Sequence, residues 1–263
     1  MNNLSIKECI KEKCKDKYEI INNDKEIDDI NNKLFSSVNY KDIEKNLINL
    51  YSKQNVKDLE LCAFKKCKNI KMIHQDKLKF IKNNIILYDI KLSNEFNKKY
   101  DNLIKLSLKP ILNNQEYINF IVLLYLFEKI ITNNIIDSNM KLFELMGEYK
   151  RCSKKYCRKF ETKDEKNLIS NIKDDDERNK IIREIYSNEK QIKLDKCINN
   201  KCNKKQLILI QELLKKFNNK IKLFNIKIPK DIQLPFVNKI TEKDIPELII
   251  KLNQISYLLK KYN

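Results

Sequence analysis

Apolar residues recur along this chain at mixtures of three and four positions, with little of the strict alternation that a half-buried strand requires. The clearest run is "TEKDIPELIIKLNQISYLLKKY", in which Leu248, Ile249, Leu252, Ile255 and Leu259 form one helical stripe. Asp244 is its candidate N-cap, Pro246 falls in its first turn, and Lys260 and Lys261 suit the negative end of its dipole. "KLFELMGEYKRC" and "NVKDLELCAFKKC" follow the same mixed spacing. The pattern predicts a mainly all-α protein. Two stretches interrupt it. "LYDIKL" and "LFNIKI" are short, alternating and flanked by Asn or Pro, which predicts one short extended segment in each half of the chain.

The most apolar stretch is "FIVLLYLF", residues 120–127, bounded by Asn119 and Glu128. It falls well short of the roughly 20 residues that a spanning helix needs, so it predicts the most buried core helix and no transmembrane segment. A shallow amphipathic membrane contact is its other reading. The start, "MNNLSIKECIKEKC", meets Lys7 before any long apolar run, so no ordinary export signal is expected and localisation stays open.

The cysteines add an internal repeat. All eight fall into four C-x4-C pairs: "CIKEKC" from Cys9, "CAFKKC" from Cys62, "CSKKYC" from Cys152 and "CINNKC" from Cys197. Each first cysteine has an apolar residue three positions earlier, Ile6, Leu59, Tyr149 or Leu194, on the same helix face. The similarity continues past the second pair of each set, where "NNIILYDIKL" resembles "NNKIKLFNIKI" with one inserted residue. A Lys/Asn/Ile-rich composition creates chance similarity, but it does not place eight cysteines at one recurring spacing. A tandem duplication is expected, with units at 1–138 and 139–263.

Helix geometry limits how these thiols can join. Residues five apart on an ideal helix have Cα atoms about 8.7 Å apart, beyond the roughly 7 Å that a disulfide spans. Each cysteine must then reach the other pair of its own unit. Antiparallel helices give nested rungs, Cys9 to Cys67 with Cys14 to Cys62, and Cys152 to Cys202 with Cys157 to Cys197. The rotation between the two thiols of a pair opposes two rungs to one partner, unless an irregular turn relieves it. Two alternatives remain open. The same eight cysteines could hold two zinc ions as all-thiolate sites, although C-x4-C is looser than the usual knuckle spacing; or they could stay reduced, as is usual inside cells.

At 263 residues with 42% hydrophobic residues, the chain can bury a substantial core. Its single glycine, Gly147, and four prolines exclude an architecture built on hairpin turns or glycine-rich phosphate loops. The net charge of +18 comes almost wholly from lysine, since Arg151, Arg158, Arg178 and Arg183 are the only arginines. Lysine, asparagine and isoleucine rise together in any AT-rich coding sequence, so part of this charge is compositional. It still draws polyanions and acidic protein surfaces.

The best basic patch is Lys150, Arg151, Lys154, Lys155, Arg158 and Lys159, placed around Tyr156 and Phe160. Its two readings are nucleic-acid contact and a solvated helix face. "DDDE", from Asp174 to Glu177, could gather a hard cation, but it precedes "RNKIIREIY" and fits helix capping better. His74, the sole histidine, could pair with a thiol in catalysis, yet every cysteine belongs to a repeated pair. No serine elbow or histidine metal spacing is present, and enzymatic activity is not expected.

In this Lys/Asn/Ile-rich setting, the segments "KECIKEKC" and "DKCINNKC" resemble uncharacterised paired-cysteine proteins of nucleocytoplasmic large DNA viruses, the giant viruses. The resemblance implies a virion component, assembled in host cytoplasm beside other virion proteins, with a virus-encoded thiol oxidase to make its disulfides. The twin-cysteine proteins of the mitochondrial intermembrane space share the hairpin idea, but their C-x9-C or C-x3-C spacing is absent. The expected role is a non-enzymatic structural or protein-interaction protein without cofactor that meets acidic partners. The alternative is a zinc-stabilised nucleic-acid-binding protein. A thiol-redox enzyme would need one exposed, low-pKa cysteine.

Overall fold

Short polar side chains begin many of the helices. Asp24 accepts from the amides of Glu26 and Ile27, Asn39 from Lys41, and Ser93 from Phe96. Asn113 and Glu116 form a reciprocal capping box, the asparagine oxygen taking the Glu116 amide at 2.9 Å and the glutamate taking the Asn113 amide at 3.2 Å. The computed structural model describes residues 6–158, 172, 174–187, 189–234 and 244–260. Among them are eleven α-helices and no β-strand. They are α1 (Ile6–Lys13), α2 (Lys15–Asn22), α3 (Lys25–Ser36), α4 (Tyr40–Ser52), α5 (Gln54–Lys66), α6 (Ile70–Leu87), α7 (Asn94–Ser107), α8 (Asn114–Cys157), α9 (Asp175–Ser187), α10 (Glu189–Leu223) and α11 (Ile245–Lys260). A 3-10 turn covers Lys230–Ile232.

The chain divides into two units, one of residues 1–85 and 89–135, the other of residues 86–88 and 136–263. Helix α8 gives its first half to one unit and its second half to the other.

The first unit has one continuous core. Helix α4 supplies Ile43, Leu47, Leu50 and Tyr51, the i, i+4, i+7, i+8 spacing of a single buried face. The first half of α8 is apolar almost all round, and Ile121, Leu124, Leu126, Phe127, Ile130 and Ile131 are fully enclosed. By length and composition alone this helix could cross a membrane. Here those side chains fill the core instead, as expected of "FIVLLYLF".

The second unit has smaller clusters. Ile210 and Leu214 of α10 meet Leu248 and Leu252 of α11, while Ile226, Ile232, Ile255 and Leu259 form a separate group. Thus the stripe read from α11 is the face it buries, with Ile249 packed at its edge. Asp244 directly precedes the helix; Lys261 lies outside the described residues.

The expected extended segments take another form. In "NNIILYDIKL" the chain stays helical to Leu87, Asp89 turns left-handed at φ 49°, and the Ile90 amide bonds back to the Ile85 carbonyl at 3.0 Å. In "NNKIKLFNIKI" helix α10 runs to Leu223, Asn225 has φ 48°, and the Ile226 amide returns to Ile221 at 3.0 Å. Each is a Schellman-type helix end, and the brief alternation is the irregular chain leaving it. The amides that a strand would offer to a neighbour are turned back to the helix.

Candidate functional site

All eight cysteines are in disulfides: Cys9–Cys67, Cys14–Cys62, Cys152–Cys202 and Cys157–Cys197. Their Cα separations are 6.0, 6.1, 6.0 and 5.9 Å, inside the range a bridge tolerates. Within each unit the two rungs are nested.

In the first unit the rotation problem is met by breaking helices at cysteines. Cys14 leaves helical geometry between α1 and α2 at φ −125°, ψ 31°, and Cys67 ends α5 at φ −102°, ψ 97°. In the second unit Cys157 is the last residue of α8, while α10 continues through both Cys197 and Cys202. The second staple thus forms both rungs with no break between the thiols of either pair.

The two staples share finer details. In every C-x4-C pair the first cysteine is half-buried and the second is buried, as Cys14, Cys67, Cys157 and Cys202 show. The Cys62 sulfur lies 3.7 Å from the carbonyl oxygen of Lys13, and the Cys197 sulfur 3.5 Å from that of Tyr156, each the residue before its bridge partner. The ammonium of Lys66 donates to the Lys13 carbonyl at 3.0 Å and that of Lys13 to the Lys66 carbonyl at 3.4 Å, placing cations on the ends of α1 and α5.

Cations surround both staples. Lys150, Arg151, Lys154, Lys155 and Arg158 are all exposed at the end of α8. Lys155 sits 5.0 Å over the ring of Tyr156, which is 49% exposed. Lys159 and Phe160 lie outside the described residues. Sequence reasoning missed the matching rim of the first unit, where Lys7, Lys11, Lys13, Lys65, Lys66 and Lys68 are exposed beside the bridges. The lysines inside "CIKEKC" and "CAFKKC" were its signal.

The remaining candidates resolve individually. Asp174 caps α9, accepting from the Glu177 amide at 2.8 Å, and among the described residues no cluster of His, Cys, Asp and Glu could hold a metal. His74 is only 6% exposed, in the first unit's interior, with ring centroids 6.0 Å from Tyr117 and 5.9 Å from Phe120. Burial, reinforced by the charge of Lys77, lowers its pKa from 6.5 to about 4, so it is neutral at ordinary pH. With every sulfur bridged, it has no thiolate to activate. Glu60 accepts from the Tyr51 hydroxyl at 3.1 Å, and burial raises its pKa against the opposing effects of that bond and of Lys77.

Bridged sulfurs carry no negative charge, so in this covalent state none can serve as a zinc thiolate. What the site can do chemically is hold two helical hairpins closed, with cations fixed along their rims. No protein-family model matches the sequence, and comparison with curated proteins and with solved structures gives no match.

Proposed function

We propose that this is a non-enzymatic structural or interaction protein whose two stapled hairpins hold basic surfaces toward acidic protein partners, in a virion assembled in host cytoplasm. The observation that carries this reading is the coincidence of staple and charge: both nested bridge pairs lie among exposed cations. A surface already ordered by crosslinks loses less conformational freedom on binding. The giant-virus resemblance supplies the setting and the route to disulfides.

We also infer that the two units descend from one duplicated module. Three features support it: the same nesting of bridges, the same half-buried and buried order within each pair, and the same helix end at Asp89 and Asn225.

The test is the intact mass of protein purified without reductant, native and after denaturing alkylation, with metal measured on the same sample. Four bridges without zinc are expected. Binding to polyglutamate and to duplex DNA is then compared across salt, with Lys150→Glu, Arg151→Glu, Lys154→Glu and Arg158→Glu combined in one variant. The reading requires polyglutamate to bind and the variant to lose at least about tenfold. Eight alkylated thiols with two zinc ions, or a preference for DNA, would favour the zinc-stabilised nucleic-acid-binding alternative. The half-exposed Tyr156 beside Lys155 is the feature that favours that alternative, because a base could stack there.

A further inference from the structure

Gly147 is the only glycine in the chain, and it sits inside α8, where glycine is a poor helix former. Among the described residues nothing calls for it. Its φ is not positive, and an added Cβ would meet only the Arg151 guanidinium at 3.6 Å, an ordinary contact.

The residues on the same face suggest what does. Ile136, Met140, Phe143 and Gly147 follow a 4, 3, 4 spacing, the seam of a two-helix coil. The first three are large and apolar yet 51%, 58% and 78% exposed. This is not the face that α8 turns to its own unit, because Leu142, Leu145 and Tyr149 are half-buried there. Asp137, Glu144 and Arg151 repeat every seven residues along one edge of the seam. Among the described residues none of these three makes an ion pair, whereas the nearby Glu148 and Lys141 are taken up by Lys205 and Glu212.

We propose that this face pairs with the same face of a second copy of the chain, with the two helices antiparallel. The charge order selects the direction. Antiparallel pairing sets the acidic end of each edge, Asp137 and Glu144, toward the basic end, Arg151, of the other. Parallel pairing would set them against the uncharged Thr132, Asn139 and Met146, so the pairs form only in the antiparallel arrangement. With the two-fold axis between Met140 and Phe143, Ile136 of one copy lies opposite Gly147 of the other. The missing Cβ lets the backbones approach, and Arg151 comes within a long side chain's reach of Asp137. The seam is shorter than the interfaces of about 1,000 Å² that hold stable dimers, so the pair is reversible and micromolar. Because Arg151 also belongs to the basic rim, the dimer is measured with no acidic partner present.

Sedimentation velocity on the full oxidised chain, from about 1 µM to about 500 µM, tests the proposal. A monomer–dimer equilibrium that weakens with salt is expected. Phe143→Glu should abolish the dimer while keeping the helical circular dichroism. Gly147→Ala should move two readouts in opposite directions, raising the thermal midpoint of the dilute monomer and weakening the dimer at least about tenfold. Asp137→Lys should weaken the dimer, and adding Arg151→Asp should restore it. A monomer throughout the range overturns the proposal. So does a dimer unaffected by Phe143→Glu, one no weaker with Gly147→Ala, or one that the charge swap fails to restore.

Discussion

Replacing His74 with phenylalanine should remove a pH dependence that the native fold carries. The imidazole lies between the rings of Tyr117 and Phe120, and its pKa falls from 6.5 to about 4. Unfolding returns it to water. Between these values the unfolded chain takes up a proton that the folded chain refuses, so stability rises with pH across the window. The contribution is complete above about pH 6.5 and is lost progressively as pH falls toward about 4. At about 1.4 kcal/mol per pH unit, its full size is capped at about 3 kcal/mol. Glu60 works in the opposite direction: its raised pKa means the folded chain keeps a proton above 4.5 that the unfolded chain has released, so its contribution grows as pH falls. The charge of Lys77 acts on both groups. Urea unfolding of native and His74→Phe protein at about pH 7.5, about pH 5.5 and about pH 4.5 isolates the histidine, because Glu60 is common to both. Native stability should drop relative to the variant by about 2 kcal/mol across that range. Parallel curves would refute the reasoning, as would an NMR titration of this single imidazole with a midpoint near its ordinary value.

The bridges give a second prediction. Removing one rung, as in Cys157→Ala with Cys197→Ala, should cost about 3 kcal/mol, because the surviving rung still closes the long loop; removing both rungs of a unit should cost about 7 kcal/mol, measured by chemical denaturation. Asn225→Gly should stabilise by up to about 1 kcal/mol, since φ 48° strains a side chain that glycine lacks; a lower thermal midpoint would contradict that helix end. Asp174→Ala should cost about 1 kcal/mol by unsealing α9, and Asp174→Ser should recover most of it in the same melts. Lys77→Met should strand Glu128, its partner at 2.5 Å, lowering stability by about 1 to 2 kcal/mol at neutral pH while letting the His74 pKa rise in the NMR titration.

The all-helical class was legible because apolar spacing, scarce glycine and scarce proline agree, and a period of 3.6 leaves few other ways to bury Leu248, Leu252, Ile255 and Leu259. Which cysteines would pair was legible because side-chain reach is covalent geometry, but spacing left bridges, zinc and free thiols all open. The extended segments were misread for a local reason. Alternation over "YDIKL" is also what a left-handed helix end followed by a few irregular residues produces, and the periodicity does not encode the φ of Asp89. Burial of His74 was not legible either, since it depends on α8 supplying Tyr117 and Phe120, more than forty residues away in sequence. The lysine rim of the first unit could have been found from the sequence, but its charges are divided among two short helices and the interleaved Glu8 and Glu12 dilute them.

The nested bridges also set how this chain responds to force. Tension applied at its two ends enters each staple through the outer rung, at Cys9 and Cys67 or at Cys152 and Cys202, with sequence separations of 58 and 50. The backbone between those cysteines never joins the stretched path. Roughly 35 nm of contour is withheld from extension, at about 3.4 Å per residue, until a reductant opens the sulfurs. The same polypeptide would reach less far under load in an oxidising setting than in a reducing one.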